Sequence, residues 1–422
     1  MAVEFVDVFA DKEEELRLQE QARRNMLMRD RLRMRAKSAL PAVDDVFKAS
    51  SSYVCLQNAD SEPSGETRQL VDISPWHKQD NHQPKVDNAF LAFHEEIVSF
   101  TQWLSFTPEE DSARLNFLAR IRTSLSDLWP ESYMVVFGSS FTELALPSSD
   151  IDVAVMNVPT GAYSSPGDCL KLLANTLLKL DYVSFVEVRD KARIPLLVLK
   201  DKYQPSIEVD ITINVDSPLG TSRFIQDQAV NRFPQFKPLV LFLKSFVLQR
   251  SLHDTYFGGV GSYLLSCMVL GFLQQHRALQ DGLSLGHLLF DFFSYFGREF
   301  NSSRDGLSVL GRGSTFDKLD HDFESTGPRR VSMGESLCVE SPLEPHLDIG
   351  NKCFQWKVVK QAFLQGRLEM IHQVQHFDKK SDKSMLSPGL VNGSHELFKR
   401  IGVHQQKLDL TRKRKRSDSQ DS

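Results

Sequence analysis

Two short segments alternate so strictly that they leave little choice of fold. In DIDVAVM, residues 150–156, Ile151, Val153 and Val155 fall on one face, and Asp150 and Asp152 fall on the other, because side chains along a strand alternate with period two. In SIEVDITI, residues 206–213, Ile207, Val209, Ile211 and Ile213 share one face, with Glu208 and Asp210 opposite. Both segments read as half-buried strands. A chain that contains two of them needs a sheet with one greasy face and one acidic face.

The surroundings fit that sheet. YMVVFG (133–138) and IPLLVLK (194–200) are two further short strands, and CLKLLANTLLKL (169–180) is a helix between them. Upstream, Phe90, Phe93, Ile97, Phe100 and Leu104 recur at three- and four-residue intervals and form one face of a helix. A second helix follows, with Thr107 as N-cap, Pro108 at the first helical position and acids in its first turn. Beyond residue 220 the chain reads mainly as helices: 236–250, 261–275, 285–300 and 352–371, with a long irregular stretch over 301–350. The expected class is α+β, a mixed sheet with helices joined to a mainly helical part.

Four regions are expected. Residues 1–85 hold a charged helix (11–40) and a loose, turn-rich linker; 86–216 form the strand-bearing domain, with its first helix packed on the next domain; 217–375 form the helical domain; 376–422 form a polar tail. The tail ends in RKRKR, 412–416, beside Ser417 and Ser419. Such a cluster reads as a nuclear-localisation signal, an RNA-contacting tail or a solvated charge run. The charged helix is either solvated or a docking element.

Bulk numbers exclude some classes. The formal net charge is −5, so this is no histone-like polycation, although a local basic face can still steer a ligand. The five cysteines, Cys55, Cys169, Cys267, Cys338 and Cys353, include no CxxC pair, which argues against a zinc ribbon or knuckle. The N-terminal MAVEFVDVFADKEEELRLQE lacks a basic n-region and an apolar run, so no signal peptide is expected. No apolar run reaches the roughly 20 residues that span a bilayer. The expectation is a soluble protein of a reducing compartment with free thiols.

Two aspartates on adjacent same-face positions repel, and a cation between them relieves the repulsion. Paired carboxylates with few other ligands suit Mg²⁺, which takes one or two carboxylates plus substrate phosphates. A third carboxylate on a neighbouring strand would complete a two-metal site. The turn at Gly138 and Ser139 would offer N–H groups and a hydroxyl to phosphate oxygens. A bare DxD is commonly a surface accident; the strand, Gly-Ser turn, spacer and later-strand carboxylate together argue otherwise.

FGSSFTELALPSSDIDVAV, 137–155, with ten residues between Ser139 and Asp150, resembles the signature of the DNA polymerase β-like nucleotidyltransferase superfamily. The segments LAFHEEIVSFTQWLSF, FKPLVLFLKSFVLQRSLHDTYFGGVGSYLL and ESPLEPHLDIGNKCF resemble the nuclear surveillance poly(A) polymerases of TRAMP-type complexes, over roughly 75–375. The resemblance implies a nucleotidyltransferase domain followed by a central, poly(A)-polymerase-associated domain. It implies Asp150, Asp152 and Asp210 as catalytic metal ligands for Mg²⁺ or Mn²⁺, with Asp210 helping to deprotonate an RNA 3′-hydroxyl. Gly138, Ser139, Lys244 and Ser262 would hold the triphosphate of ATP, and Tyr263 would stack on its base. Thr221 and Ser222 fall where relatives place an Asn-Thr pair near the ribose. Where some relatives carry a second lysine this chain has Leu248, with Arg250 as a substitute or the contact missing.

Taken alone, a lysine on an apolar helix usually snorkels to solvent and a tyrosine opening such a helix is usually core; the motif context favours ligands. The stretch 344–352 resembles a nucleotide-recognition loop. Uridylyltransferases carry a histidine three residues before its glycine; here Leu347 stands there, with His346 adjacent. ATP is favoured over UTP, and a terminal uridylyltransferase or an inactive RNA- or helicase-binding scaffold are the alternatives. No RNP motif, KH loop or zinc knuckle is present, so the resemblance implies an RNA 3′ end held with the help of a zinc-knuckle RNA-binding protein and an RNA helicase. No membrane partner and a nuclear location are expected.

Overall fold

The structure, a computed structural model, describes residues 74–77, 87–163, 165–192, 194–276, 283–318, 335–345, 347–379, 383–387 and 390–391. Cys55, the charged helix over 11–40, His346, Ser417, Ser419 and the basic run 412–416 lie outside the described residues.

Helices α1 (Ala89–Leu104) and α2 (Pro108–Leu128) come first. The start of α2 follows from its sequence. Thr107 Oγ1 accepts from the Glu110 amide, and Glu110 accepts from the Thr107 amide in return; this reciprocal cap satisfies two donors that helical bonding leaves orphaned. Next come β1 (Tyr133–Val136), the single turn α3 (Gly138–Phe141), β2 (Ile151–Met156), α4 (Pro166–Leu177), β3 (Val183–Arg189), β4 (Leu196–Asp201) and β5 (Glu208–Ile213). Helices α5 (Ser217–Ile225), α6 (Phe236–Leu248), α7 (Ser262–Gln275) and α8 (Leu285–Ser294) follow, then a hairpin of β6 (Asp305–Ser308) and β7 (Ser314–Asp317), and α9 (Trp356–Gln375).

The large sheet has the order β1-β2-β5-β4-β3. Only β2 and β5 run parallel; the other neighbours are antiparallel. Ile151, Val153, Val155, Val209 and Ile211 meet Phe117, Ile121 and Leu125 of α2 and Leu170, Leu173 and Leu177 of α4 in one core. Burying each such side chain stabilises the fold by about 1.5–3 kcal/mol. With this face covered by two helices, the acidic face is turned away from them.

A second core joins α1 to the helical half. Phe93, Ile97, Phe100 and Leu104 of α1 pack with Phe236, Phe242 and Phe246 of α6, Phe292 and Phe293 of α8, and Phe363 of α9. Phe90 is only partly buried, and its ring stacks on His287 at 4.1 Å. Leu144 and Leu146, from the connection between α3 and β2, also enter this core, so the acidic motif is pinned to both halves.

Three features depart from the sequence expectation. The edge strand β3 carries no fully buried residue, so its weak alternation hides it among loops. The stretch 301–350 is not wholly irregular, because β6 and β7 pair across it and Leu307 bridges to Val339. The polar tail expected after 375 includes a packed segment: Met385, Leu386, Leu390 and Val391 are buried in the helical core. The buried Glu96 carboxylate of α1 holds that segment. It accepts from the Met385 amide at 2.5 Å, the Leu386 amide at 3.3 Å and the Ser384 hydroxyl. The same carboxylate accepts from the Trp76 indole at 2.9 Å. The Met385 and Leu386 amides therefore do not face the apolar core unpaired.

The four described cysteines are free and buried. Among the described residues, no helix is long and apolar enough to cross a membrane.

Candidate active site

The parallel register of β2 and β5 sets Asp152 beside Asp210. Asp150 stands one residue before β2. Carboxylate oxygens of Asp150, Asp152 and Asp210 all lie within 4.8 Å of one another. Glu208, on the same face as Asp210, is taken up elsewhere: it pairs with Lys200 across β4 and β5 at 2.9 Å.

Three converging carboxylates oppose ionisation. Burial, then the charges of Asp150 and Asp210, push Asp152 up to about 7. Burial, then Asp150 and Glu208, push Asp210 up to about 7. Asp150 is also raised, by burial first and Glu208 second. Lys244 of α6 stands close enough to Asp150 and Asp152 for their charges to hold its proton, yet burial still lowers it to about 8. Its Nζ donates to the Leu144 carbonyl at 2.7 Å. Lys244 therefore does not snorkel: it is 7% exposed and faces the acids.

The donor set fits a hard divalent cation. It consists of oxygens only, and the Asp210 Oδ1 atom is buried with no hydrogen-bond partner among the described residues. Oxygen ligands suit Mg²⁺ or Mn²⁺ and disfavour Zn²⁺, which prefers nitrogen and sulfur. An orphaned carboxylate oxygen is costly unless a cation completes it.

Gly138 lies against this cluster with φ +64, and a Cβ there would collide with the Asp152 carboxylate. Only glycine meets both demands. The Gly138 amide is directed inward: it donates to Ser222 Oγ at 2.8 Å, and that hydroxyl donates to the Pro218 carbonyl at 2.8 Å. The Gly138 N–H is thus engaged within the protein, and buried Ser222 braces the turn by linking it to the Pro218 carbonyl.

The other expected residues divide. Ser139 opens the partly exposed turn beside Gly138. Thr221 Oγ1 donates to the Pro218 carbonyl at 2.9 Å. Ser262 is exposed at the start of α7, just past its N-cap Gly261. Tyr263 is half-buried beside Cys267 and near Glu344, and burial pushes its phenol well above the usual range. Leu343 stands where a Cβ on Gly220 of α5 would touch it, so the 335–345 segment reaches the helix that carries Ser222. Arg250 does not replace a missing lysine. Its guanidinium lies 3.7 Å over the Phe246 ring and donates to the Phe246 carbonyl, with Glu369 the charge that favours its proton.

Sequence reasoning missed Arg114. It is 7% exposed and donates to the Ser149 carbonyl at 2.8 Å, the Asp150 carbonyl at 3.2 Å and Ser140 Oγ at 3.3 Å. A signal was present: Arg114, Phe117, Ile121 and Leu125 form the buried row of α2. An arginine in an apolar row needs acceptors inside the fold.

The chain is similar to known proteins. Residues 93–227 match the family model described as the central palm domain of mitochondrial-like poly(A) RNA polymerase, and residues 284–347 match that of the Cid1 family poly A polymerases. The chain is 29% identical over 297 residues to poly(A) RNA polymerase cid14 of Schizosaccharomyces pombe, covering 69% of this chain and 42% of that protein. It thus spans less than half the length of that relative. It is 33% identical over 302 residues to the inactive noncanonical poly(A) RNA polymerase protein Trf4-2 of Drosophila melanogaster, covering 68% of this chain and 70% of that one. The solved polymerase core of TRAMP, an RNA surveillance complex, superposes with a TM-score of 0.66 at 25% identity, over 76% of this chain and 99% of that one.

Proposed function

The chain belongs to the noncanonical poly(A) RNA polymerase family, and from that premise we propose that it is a template-independent RNA nucleotidyltransferase that adds AMP from ATP to RNA 3′ ends and releases pyrophosphate. The observation that carries this reading is the triad: three carboxylates within 4.8 Å, one with a buried oxygen left unpartnered, beside a glycine turn and an inward lysine. One relative, Trf4-2, is an inactive polymerase, so the reading rests on this chain's own acids rather than on the family alone.

Asp150, Asp152 and Asp210 would hold Mg²⁺ or Mn²⁺. Such ions, when bound, activate a hydroxyl nucleophile and neutralise charge on the leaving pyrophosphate. The protein's own groups do the rest. By the family resemblance, the Asp210 carboxylate would help to deprotonate the RNA 3′-hydroxyl. Lys244 supplies a positive charge for the triphosphate, pre-positioned by its bond to Leu144 so that little reorganisation is needed. Ser139 and Ser262 provide hydroxyls for phosphate oxygens, and the Tyr263 ring provides a face for the base. Rigid placement of the reacting groups is the main catalytic device in phosphoryl transfer.

The same reading extends to the setting. ATP is favoured over UTP by the poly(A) relatives and by Leu347 at the discriminating position. A zinc-knuckle RNA-binding protein and an RNA helicase are the partners that would supply RNA affinity, as the sequence resemblance implies. A nuclear location agrees with the basic run at 412–416.

Primer extension tests the proposal. A labelled single-stranded RNA is incubated with Mg²⁺ and each nucleoside triphosphate separately, beside the Asp150→Ala/Asp152→Ala protein. An ATP ladder that disappears in the variant supports it. A ladder formed mainly with UTP makes the enzyme a uridylyltransferase and His346 the next residue to mutate. No ladder, even with a candidate RNA-binding partner added, makes it a scaffold.

A further inference from the structure

Asp150 must be held firmly, yet it lies at a place where the sheet gives little help. The β1–β2 ladder ends at the Val136–Val153 pair, with one last bond from the Phe137 amide to the Asp152 carbonyl. From there the chain turns into α3, so Asp150 has no strand neighbour on that side. On the other side β5 pairs with β2 only from Ile151 onward. The loop that delivers Asp150 runs from Glu143 to Ser149 and is itself irregular.

Leu144, Leu146 and the Lys244 bond anchor the start of that loop, and one guanidinium bonds to its end at Ser149 and Asp150. From α2, Arg114 reaches the Ser149 and Asp150 carbonyls with its two terminal nitrogens and touches Ser140 Oγ with one of them. It thereby joins the two halves of the motif: the Gly-Ser turn before the spacer and the first aspartate after it. Its other side lies over the Phe106 ring, 4.6 Å from the centroid, which fixes the plane of the fork. A planar fork can serve three acceptors at once, and a lysine ammonium cannot reproduce that geometry.

We propose that Arg114 is a positioning residue for the reaction: it sets the distance between the Gly-Ser turn and Asp150, and so the geometry of the metal-binding triad. The proposal rests on the functional reading above. It assigns Arg114 no contact with substrate. Ser222 holds the turn through the Gly138 amide, so the turn is bonded to both α2 and α5.

The test compares Arg114→Lys and Arg114→Met with the wild-type protein, at a temperature where circular dichroism shows all three folded. Two readouts are taken. One is primer extension under separate titrations of RNA and ATP. The other is Mn²⁺ binding, followed by the paramagnetic resonance signal of free Mn²⁺, with Asp150→Ala/Asp152→Ala as the blank. The expected result is a kcat lowered roughly 10- to 100-fold, since small misplacements of reacting groups cost that much. KM for RNA should stay near wild type, and Mn²⁺ binding should weaken in both variants. Arg114→Lys should not rescue. Folded variants with wild-type kcat and Mn²⁺ affinity would overturn the proposal.

If neither variant folds, Ser140→Ala decides, because it removes one acceptor and leaves the buried cation paired. A lowered kcat at unchanged KM supports the positioning role, and a wild-type kcat there reduces Arg114 to a folding residue. A wild-type protein that extends no RNA even with a candidate RNA-binding partner added overturns the proposed function instead, and the Mn²⁺ comparison then judges Arg114 on its own.

Discussion

Asp152 and Asp210 stand side by side on adjacent parallel strands, with Asp150 within reach of both. Parallel neighbours keep their side chains on one face at every level, so this pairing concentrates charge that folding alone would avoid.

Relieving that charge should separate stability from activity. Asp152→Asn removes a repelled, buried carboxylate, so the metal-free protein should melt at a higher temperature than wild type. Mg²⁺ should raise the wild-type Tm and leave the variant's nearly unchanged, because a ligand stabilises only the state that binds it. Nucleotide addition should fall on the order of 10³-fold or more, given the several kcal/mol that metal ions contribute. Calorimetry with and without Mg²⁺ checks this; a variant less stable than wild type in the absence of metal counts against it.

Gly138 should not tolerate even a methyl group. Alanine there meets both a left-handed φ and the Asp152 carboxylate. The strain costs about 1–2 kcal/mol, small against a cooperative fold, while a displaced Asp152 costs activity roughly 10²-fold. Gly138→Ala is expected to keep a cooperative melting transition and lose most primer extension. Activity within a few-fold of wild type would show that the turn can move away.

Glu96 should hold down the packed C-terminal segment. Glu96→Ala leaves the Trp76 indole and the Met385 and Leu386 amides without their acceptor. A buried donor left unpaired costs about 1–3 kcal/mol, so a loss of about 2–4 kcal/mol in urea unfolding is expected. Trypsin should also cut sooner near Lys379 and Lys383. Unchanged proteolysis would mean that Met385, Leu386 and Leu390 hold the segment by packing alone.

Asp291 of α8 should make stability depend on pH. Burial, with Glu299 nearby, pushes its carboxyl up to about 7. The folded value exceeds the unfolded one of about 3.9. Its contribution is therefore fully present below the unfolded pKa and is lost as pH rises through about 7. Asp291→Asn keeps a neutral side chain at every pH. The variant should gain little over wild type at pH 5 and about 2–5 °C in Tm at pH 8. Equal gains at both pH values would show that Asp291 does not titrate with folding.

Local periodicity settled a good part of this molecule before any contact was known. Alternation in 150–156 and 206–213 determined two strands and the face that carries their acids. Three- and four-residue spacing determined the buried side of α1, and Thr107, Pro108 and Glu110 determined where α2 begins. These features need only neighbours in the chain. What periodicity could not decide was which groups satisfy one another across long separations. Tertiary structure put Asp210 beside Asp152 by choosing a parallel register, and turned Ser222 to the Gly138 amide across 84 residues. It also spent Arg114 on carbonyls 35 and 36 residues away and drew Met385 and Leu386 back to Glu96. Each of these answers to one requirement, that a buried donor, acceptor or charge must find a partner wherever the chain brings one. That requirement is met in space, and it leaves almost no trace in the spacing of residues.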